Sequence, residues 1–74
     1  MDIRDLVEVD REKMSGTPVF NGTRVPIKNL FDYLEGGDSL EIFLDDFPTV
    51  TREQALGVLE LSKESLLSQY EIAA

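Results

Sequence analysis

The sequence predicts a mostly helical α+β fold, in which a short N-terminal β-strand and a β-hairpin precede a unit of three helices. The hairpin is predicted by Asn21-Gly22, which lies between the β-prone runs Val19-Phe20 and Thr23–Val25. The helices are predicted by three later runs with apolar residues at helical spacing. We expect the 74 residues to form one domain, with a strand-and-hairpin arm over 1–26 and the three-helix unit over 27–74.

The arm is predicted from turn chemistry and alternation. Asn-Gly favours a two-residue hairpin turn in which both residues take positive φ. The alternation over Leu6–Asp10 predicts a further short strand that covers the hairpin. Thr23 follows the turn opposite Phe20, which indicates a cross-strand pair rather than a nucleophile. Pro26 ends the strand and opens the first helix, where a missing N–H is tolerated.

Glycine and proline mark the bounds of the first two helices. Gly36-Gly37 supplies a left-handed cap position that ends the first helix. Asp38, with Glu41 three residues later, predicts the N-cap of the second helix, and Pro48 ends it. The apolar stripes of these two helices comprise Ile27, Leu30, Phe31 and Leu34 in the first, and Leu40, Phe43, Leu44 and Phe47 in the second. Because they lie on a stripe, Phe43 and Phe47 are predicted to be core residues rather than a base-stacking platform.

The third helix is predicted to begin after Thr51, which forms a capping box with Gln54, and to run to Tyr70. At 1.5 Å per residue this helix is roughly 30 Å long, more than a core of this size requires. Its later part carries apolar residues in too many directions for one buried stripe. We therefore expect some of them to form a homodimer or partner interface. The candidates are Leu61, Leu66, Leu67, Tyr70 and Ile72.

Composition excludes several kinds of chemistry and favours a binding protein. The chain has neither histidine nor cysteine, and therefore lacks the usual general base, a thiolate zinc site and a disulfide framework. Asp45-Asp46 is a poor metal site, because adjacent helical residues diverge by about 100°. We expect no enzymatic activity, cofactor, metal or small-molecule substrate. Without an apolar run of membrane-spanning length or a signal-peptide pattern, a cytoplasmic protein with no membrane partner is expected.

The net charge of −8 is concentrated in the second half of the chain. Residues 29–74 contain ten acidic residues and only two basic ones, Arg52 and Lys63. Such a surface repels a polyanion and attracts a basic partner protein. Arg24 is open to two interpretations, a contact with a partner and a brace for the hairpin, and its planar guanidinium favours the brace.

The run from Gly16 to Ile27, Gly-Thr-Pro-Val-Phe-Asn-Gly-Thr-Arg-Val-Pro-Ile, resembles the motif of a small prokaryotic family, domain of unknown function 433. The similarity continues through Leu34–Glu41, Phe47–Thr51 and Glu53–Ala55. The motif positions are Gly16, Pro18, Asn21, Gly22, Thr23, Arg24 and Pro26. The resemblance implies a hairpin followed by a homeodomain-like helix-turn-helix, and no catalytic residues.

The resemblance further implies an antitoxin-like protein that sequesters a PIN-like ribonuclease toxin and regulates its own operon. Two alternatives stay open: a helix-turn-helix transcriptional regulator, and a homodimeric interaction module. In the regulator, Arg52 and Gln54 at the start of the third helix would contact DNA. The surrounding acidic residues predict that this protein binds DNA weakly by itself, because phosphate neutralisation supplies most non-specific affinity.

Overall fold

A computed structural model describes residues 2–12 and 14–71, with only the backbone of the last. Within these residues, a short N-terminal segment of helix and two-stranded sheet precedes three longer helices. The fold is mostly helical, as the sequence predicts. The elements are α1 (Ile3–Leu6), β1 (Val7–Glu8), a 3-10 turn (Met14–Gly16), β2 (Val19–Phe20), α2 (Ile27–Glu35), α3 (Leu40–Asp46) and α4 (Arg52–Glu71).

The N-terminal arm contains a helix that the sequence does not predict. Asp2 caps α1 by accepting the Arg4 backbone N–H at 2.8 Å, and Leu6 belongs to this helix instead of the strand. The predicted strand therefore shortens to β1, which pairs antiparallel with β2. Val7 lies opposite Phe20 in this pairing.

The hairpin turn differs from the predicted two-residue type. Of its two central residues only Gly22 has positive φ, at 77°, as the third position of a type II turn requires. The Thr23 N–H donates to the Phe20 carbonyl at 2.9 Å. Because Asn21 does not have a positive φ, the prediction of two positive φ values was wrong. The returning strand is reduced to a bridge between Val19 and Pro26.

The ends of the three main helices follow local capping chemistry. After α2, Gly37 has φ 92°, and the next N–H, of Asp38, reaches the Tyr33 carbonyl at 2.9 Å. This arrangement confirms the predicted glycine stop. The N-cap of α3 is Ser39 instead of Asp38, since the Ser39 Oγ accepts the Ile42 N–H at 3.2 Å.

The capping box of α4 is confirmed. Gln54 Oε1 accepts the Thr51 N–H at 3.0 Å, and Thr51 Oγ1 accepts the Gln54 N–H at 3.1 Å. Two donors that a helix start leaves unpaired are thereby satisfied.

An aromatic cluster joins the sheet to α2 and α3. Phe20 and Phe43 are fully buried, with ring centroids 6.0 Å apart, and Phe43 also contacts the rings of Tyr33 and Phe47. The core prediction for Phe43 and Phe47 is confirmed, the second as a half-buried side chain at the core edge. The buried core cluster comprises Leu6, Phe20, Leu30, Phe43, Val50, Ala55 and Val58.

Helix α4 continues beyond this core. Ala55 and Val58 are buried, but all described side chains from Ser62 to Tyr70 are exposed. The surplus of apolar surface that its length predicts is therefore present.

Candidate interaction surface

The polar residues of the Gly16–Ile27 segment mainly hold its own turn. The Thr23 hydroxyl is buried; it donates to the Phe20 carbonyl at 2.8 Å and accepts the Val25 N–H at 3.0 Å. Because both of its roles are used within the turn, this hydroxyl is structural. Thr23 closes the turn on Phe20, but the strand partner of Phe20 is Val7, so the expected cross-strand pair was wrong. That Thr23 is not a nucleophile stays a prediction.

Asn21 and Gly22 attach the turn to the N-terminal arm. The Asn21 N–H donates to the Leu6 carbonyl at 2.9 Å, and its side-chain amide donates to the Asp5 carbonyl at 3.3 Å. The Gly22 N–H donates to Glu8 Oε1 at 3.0 Å. The motif thus fixes the arm against the hairpin.

The other small and cyclic motif residues set the path of the backbone. Gly16 has φ 83°, where an L-residue is strained. The Pro18 carbonyl accepts the Ile27 N–H at 3.0 Å, and Pro26 is the N-cap of α2. These residues place the start of α2 directly beside β2.

Arg24 is the motif residue that the turn does not use. Its side chain is exposed and makes neither a hydrogen bond nor an ion pair with any part of the chain that the structure describes. The expectation that it braces the hairpin was therefore wrong. A sequence pattern does not reveal this, because the preference of arginine for bidentate pairing says nothing about whether a carboxylate lies within reach.

Arg52 is held by Glu41 across the two last helices. Its Nη1 donates to Glu41 Oε1 at 2.7 Å, and Nη2 donates to Oε2, which makes the pair bidentate. The guanidinium lowers the pKa of the Glu41 carboxyl and in turn has its own pKa raised. Both side chains remain about half exposed, so the pair mainly fixes side-chain positions.

Gln54 is also engaged within the chain. Its Oε1 serves the capping box, and its Nε2 donates to the Asn21 carbonyl at 2.9 Å. The two residues predicted to contact DNA are thus brought to the same end of α4, but each already has partners within the protein. Base readout would require these contacts to be replaced.

Seven exposed carboxylates lie just before α3, on α3 and on α4. We call these residues the acidic surface. The second cation of this half, Lys63, pairs with Glu60 at 3.0 Å, as Arg52 pairs with Glu41. Over described residues 29–71, both cations are therefore already neutralised by neighbours. The acidic surface comprises Asp38, Glu41, Asp45, Asp46, Glu53, Glu60 and Glu64.

Asp46 forms a hydrogen bond with the aromatic cluster. It accepts the hydroxyl of Tyr33 at 2.7 Å, and this hydrogen bond raises the pKa of the Tyr33 phenol. No group of three acidic, histidine or cysteine side chains suited to a metal ion occurs in the described part of the chain. Asp45, the neighbour of Asp46, is exposed.

The predicted interface residues of α4 divide into two sets. Leu61 is half-buried and packs against the core cluster. Leu66, Leu67 and Tyr70 are 57%, 47% and 69% exposed, and Leu56, which the prediction omitted, is 48% exposed. Ile72 lies outside the described residues.

A second apolar feature lies where α4 passes α1. Ile3, Ile27, Leu61 and Leu66 line this groove, and Lys28 is the charged residue among its lining. Sequence reasoning missed the groove because α1 has four residues, too few for a helical period to be visible. Of the helices described, none is long and apolar enough to cross a membrane.

Comparison with known families decides the affiliation of this fold. A family model described as "Protein of unknown function (DUF433)" matches residues 7–62, from β1 into α4. The chain belongs to the DUF433 family. This confirms the resemblance seen in the motif. The match ends before Leu66, Leu67 and Tyr70, so the exposed end of α4 lies beyond it.

A solved DUF433 structure shares the fold. The crystal structure of a DUF433 member from Anabaena variabilis ATCC 29413 superposes with a TM-score of 0.70. The similarity covers 97% of this chain and 72% of that chain, at 19% sequence identity. At this identity the likeness shows the fold alone. No curated protein matches this DUF433 chain.

Proposed function

We propose that this DUF433 protein is a small antitoxin-like binding protein that sequesters a basic, RNA-cleaving toxin of the PIN-like class. The acidic surface of α3 and α4 supplies the contact. The proposal assigns no catalytic step, cofactor or small-molecule substrate to this chain. It places the protein in the cytoplasm, where such a toxin would act.

The observation that carries the proposal is the ion pairing of Arg52 and Lys63, the two basic residues in the second half of the chain. Because Arg52 and Lys63 are each paired with a glutamate, neither cation is left to offset the other carboxylates of the acidic surface. A nuclease that binds RNA presents a basic cleft, and the two potentials are complementary. Carboxylates on a folded surface compete with phosphates for the same arginines and lysines.

The same observation disfavours the DNA-binding alternative for the protein alone. Arg52 and Gln54 are engaged within the chain, and the carboxylates around them repel phosphate. Regulation of its own operon then depends on the partner, which adds the missing positive charge. A gel shift with the operon's promoter should give binding only when the toxin is present.

The experiment is co-expression with the basic nuclease encoded nearest to this gene, followed by co-purification and an RNA-cleavage assay. The wild-type protein should copurify and suppress cleavage. The variant Asp38→Asn/Asp45→Asn should bind about three- to tenfold more weakly, because it removes two exposed charges, one just before α3 and one in its last turn.

A matched control separates surface position from total charge. Asp5→Asn/Glu12→Gln changes the net charge by the same amount on the N-terminal arm, where both side chains are exposed. Its affinity should stay at the wild-type value. Equal losses in both variants would overturn the role of the acidic surface. A nuclease that stays fully active beside the wild-type protein would overturn the proposed function.

A further inference from the structure

One face of α4 carries exposed residues at alternating spacings of three and four, the period of a two-helix seam. It lies away from the buried Ala55 and Val58. Every described side chain on it is exposed, including the salt-bridged pair at its centre. We call it the outer seam; it consists of Glu53, Leu56, Glu60, Lys63, Leu67 and Tyr70.

We propose that the outer seam binds the outer seam of a second copy of this chain, with the two α4 helices antiparallel. The two-fold axis passes between Glu60 and Lys63. This inference goes beyond the proposed function and does not depend on it, because the nuclease partner is not required for two copies to associate. The seam takes Glu53 and Glu60 from the acidic surface, so in the dimer the nuclease contact falls to the other acidic residues, among them Asp38 and Asp45.

The register follows from symmetry. A two-fold axis makes the contact isologous, with the helices running in opposite directions. The numbers of any two facing residues therefore have the same sum. With the axis between Glu60 and Lys63, Leu56 packs on the partner's Leu67, and Glu60 meets the partner's Lys63. Glu53 then lies beside the partner's Tyr70, whose hydroxyl is a donor for that carboxylate.

Each of these layers is chemically complementary. The leucines form apolar layers on both sides of a charged centre, and the centre holds two Glu–Lys pairs. Lys63 Nζ and Glu60 Oε2 lie 3.0 Å apart within one helix, and in the dimer each would exchange this contact for the opposite charge across the axis. A parallel arrangement opposes Glu60 to the partner's Glu60 and Lys63 to the partner's Lys63. The pattern of charges therefore selects both the occupant and its direction.

Additional apolar area flanks the seam on one side. Leu59 is half-buried and Leu66 is 57% exposed, and the two are one helical repeat of seven residues apart. In antiparallel pairs the same flank of each helix faces its counterpart, so these leucines meet across the axis. The predicted interface thus retains Leu66, Leu67 and Tyr70, whereas Leu61 belongs to the core edge.

The first experiment uses charge reversal and measures the dimer dissociation constant by sedimentation over a range of concentrations. Glu60→Lys and Lys63→Glu should each raise it by about tenfold or more, because each places like charges together in the central layers. Mixing these two single variants should restore dimers, since one chain then supplies a lysine and the other a glutamate to both central layers. The double variant Glu60→Lys/Lys63→Glu should also restore them.

Two checks make this result specific. Arg11→Glu changes the net charge as much as Lys63→Glu does, at an exposed site away from α4, and should leave the dissociation constant unchanged. Circular dichroism should show equal helix content in all variants. Restoration by mixing excludes a folding defect, because each single chain remains unchanged.

Single cysteines test the direction, and the chain has no cysteine of its own. Leu56→Cys and Leu67→Cys should form a disulfide with each other when mixed and oxidised. Neither should link to itself, because eleven residues separate them, roughly 16 Å along the helix, beyond disulfide reach. Self-linking of either variant would overturn the antiparallel register.

Two outcomes overturn the proposal as a whole. One is a wild-type protein that stays monomeric at all concentrations reached. The other is a dimer that Glu60→Lys and Lys63→Glu leave intact. If the wild type is monomeric and these variants instead weaken nuclease binding, the seam contacts the nuclease, and the proposed function survives while this inference fails.

Discussion

Gln54 joins the first turn of α4 to the hairpin turn, by a hydrogen bond from its Nε2 to the Asn21 carbonyl at 2.9 Å. The two residues are 33 positions apart in the sequence. The same side chain completes the α4 capping box through its other atom. One amide thus fixes a helix start and attaches it to the family motif.

Replacing Gln54 should destabilise both the start of α4 and its attachment to the hairpin. Gln54→Ala should lower the free energy of unfolding by about 1–2 kcal/mol, since it removes half of a capping box and one hydrogen bond. Urea denaturation followed by circular dichroism measures this change in the free energy of unfolding. Gln69→Ala, an exposed site on the same helix, is the control and should change stability by less than about 0.5 kcal/mol. Equal effects would mean that only helix propensity changed.

The hairpin glycine should be sensitive for a conformational reason alone. Gly22 has φ 77°, and a Cβ added there would meet nothing within 4 Å. Gly22→Ala should therefore cost about 1–2 kcal/mol through backbone strain. Gly22→Asn should cost less, because asparagine tolerates this region. Thermal unfolding of both variants would test the difference, and a cost for asparagine equal to that for alanine would contradict it.

The features that the sequence predicts correctly depend on residues close together in the chain. The Thr51–Gln54 box and the glycine stop after α2 each involve a few consecutive residues. The prediction of Asp38 as the α3 cap was wrong because aspartate and serine cap equally well, and local chemistry does not separate Asp38 from its neighbour Ser39. The Gln54–Asn21 contact was not predictable, because it depends on how α4 meets the hairpin.

The core aromatic should dominate the stability of the fold. Phe43 is fully buried and touches three other rings, so Phe43→Ala should cost about 3–5 kcal/mol. A domain of this size has roughly 4–11 kcal/mol in total, so much of the population should unfold. The adjacent Ile42 is 45% exposed, and Ile42→Ala should cost under about 1 kcal/mol. A near-wild-type melting temperature for Phe43→Ala would contradict this core.

Arg24 should be dispensable for folding. The sequence favours a structural brace, but the structure leaves this guanidinium exposed and unpaired among the described residues. Arg24→Gln should therefore leave the urea midpoint at the wild-type value, whereas Arg52→Gln, which removes the contact to Glu41, should lower it. A drop caused by Arg24→Gln equal to that caused by Arg52→Gln would contradict the assignment of Arg24 as dispensable for folding.

The Arg52–Glu41 pair should make stability depend on pH in a defined direction. Arg52 holds the pKa of Glu41 below its ordinary value of 4.5, so the folded state favours the charged carboxylate. This contribution is fully present above that value and is lost as the pH falls through the lowered pKa, because the carboxylate then takes up a proton.

Arg52→Gln should therefore be less stable than the wild type at neutral pH, and the difference should shrink as the pH falls below 4.5 and through the lowered pKa of Glu41. Urea midpoints measured at a series of pH values test this. Arg24→Gln serves as the control, since its difference from the wild type should stay near zero throughout. If the gap between Arg52→Gln and the wild type persists in acid, the arginine contributes through the packing of its aliphatic stem rather than through its charge.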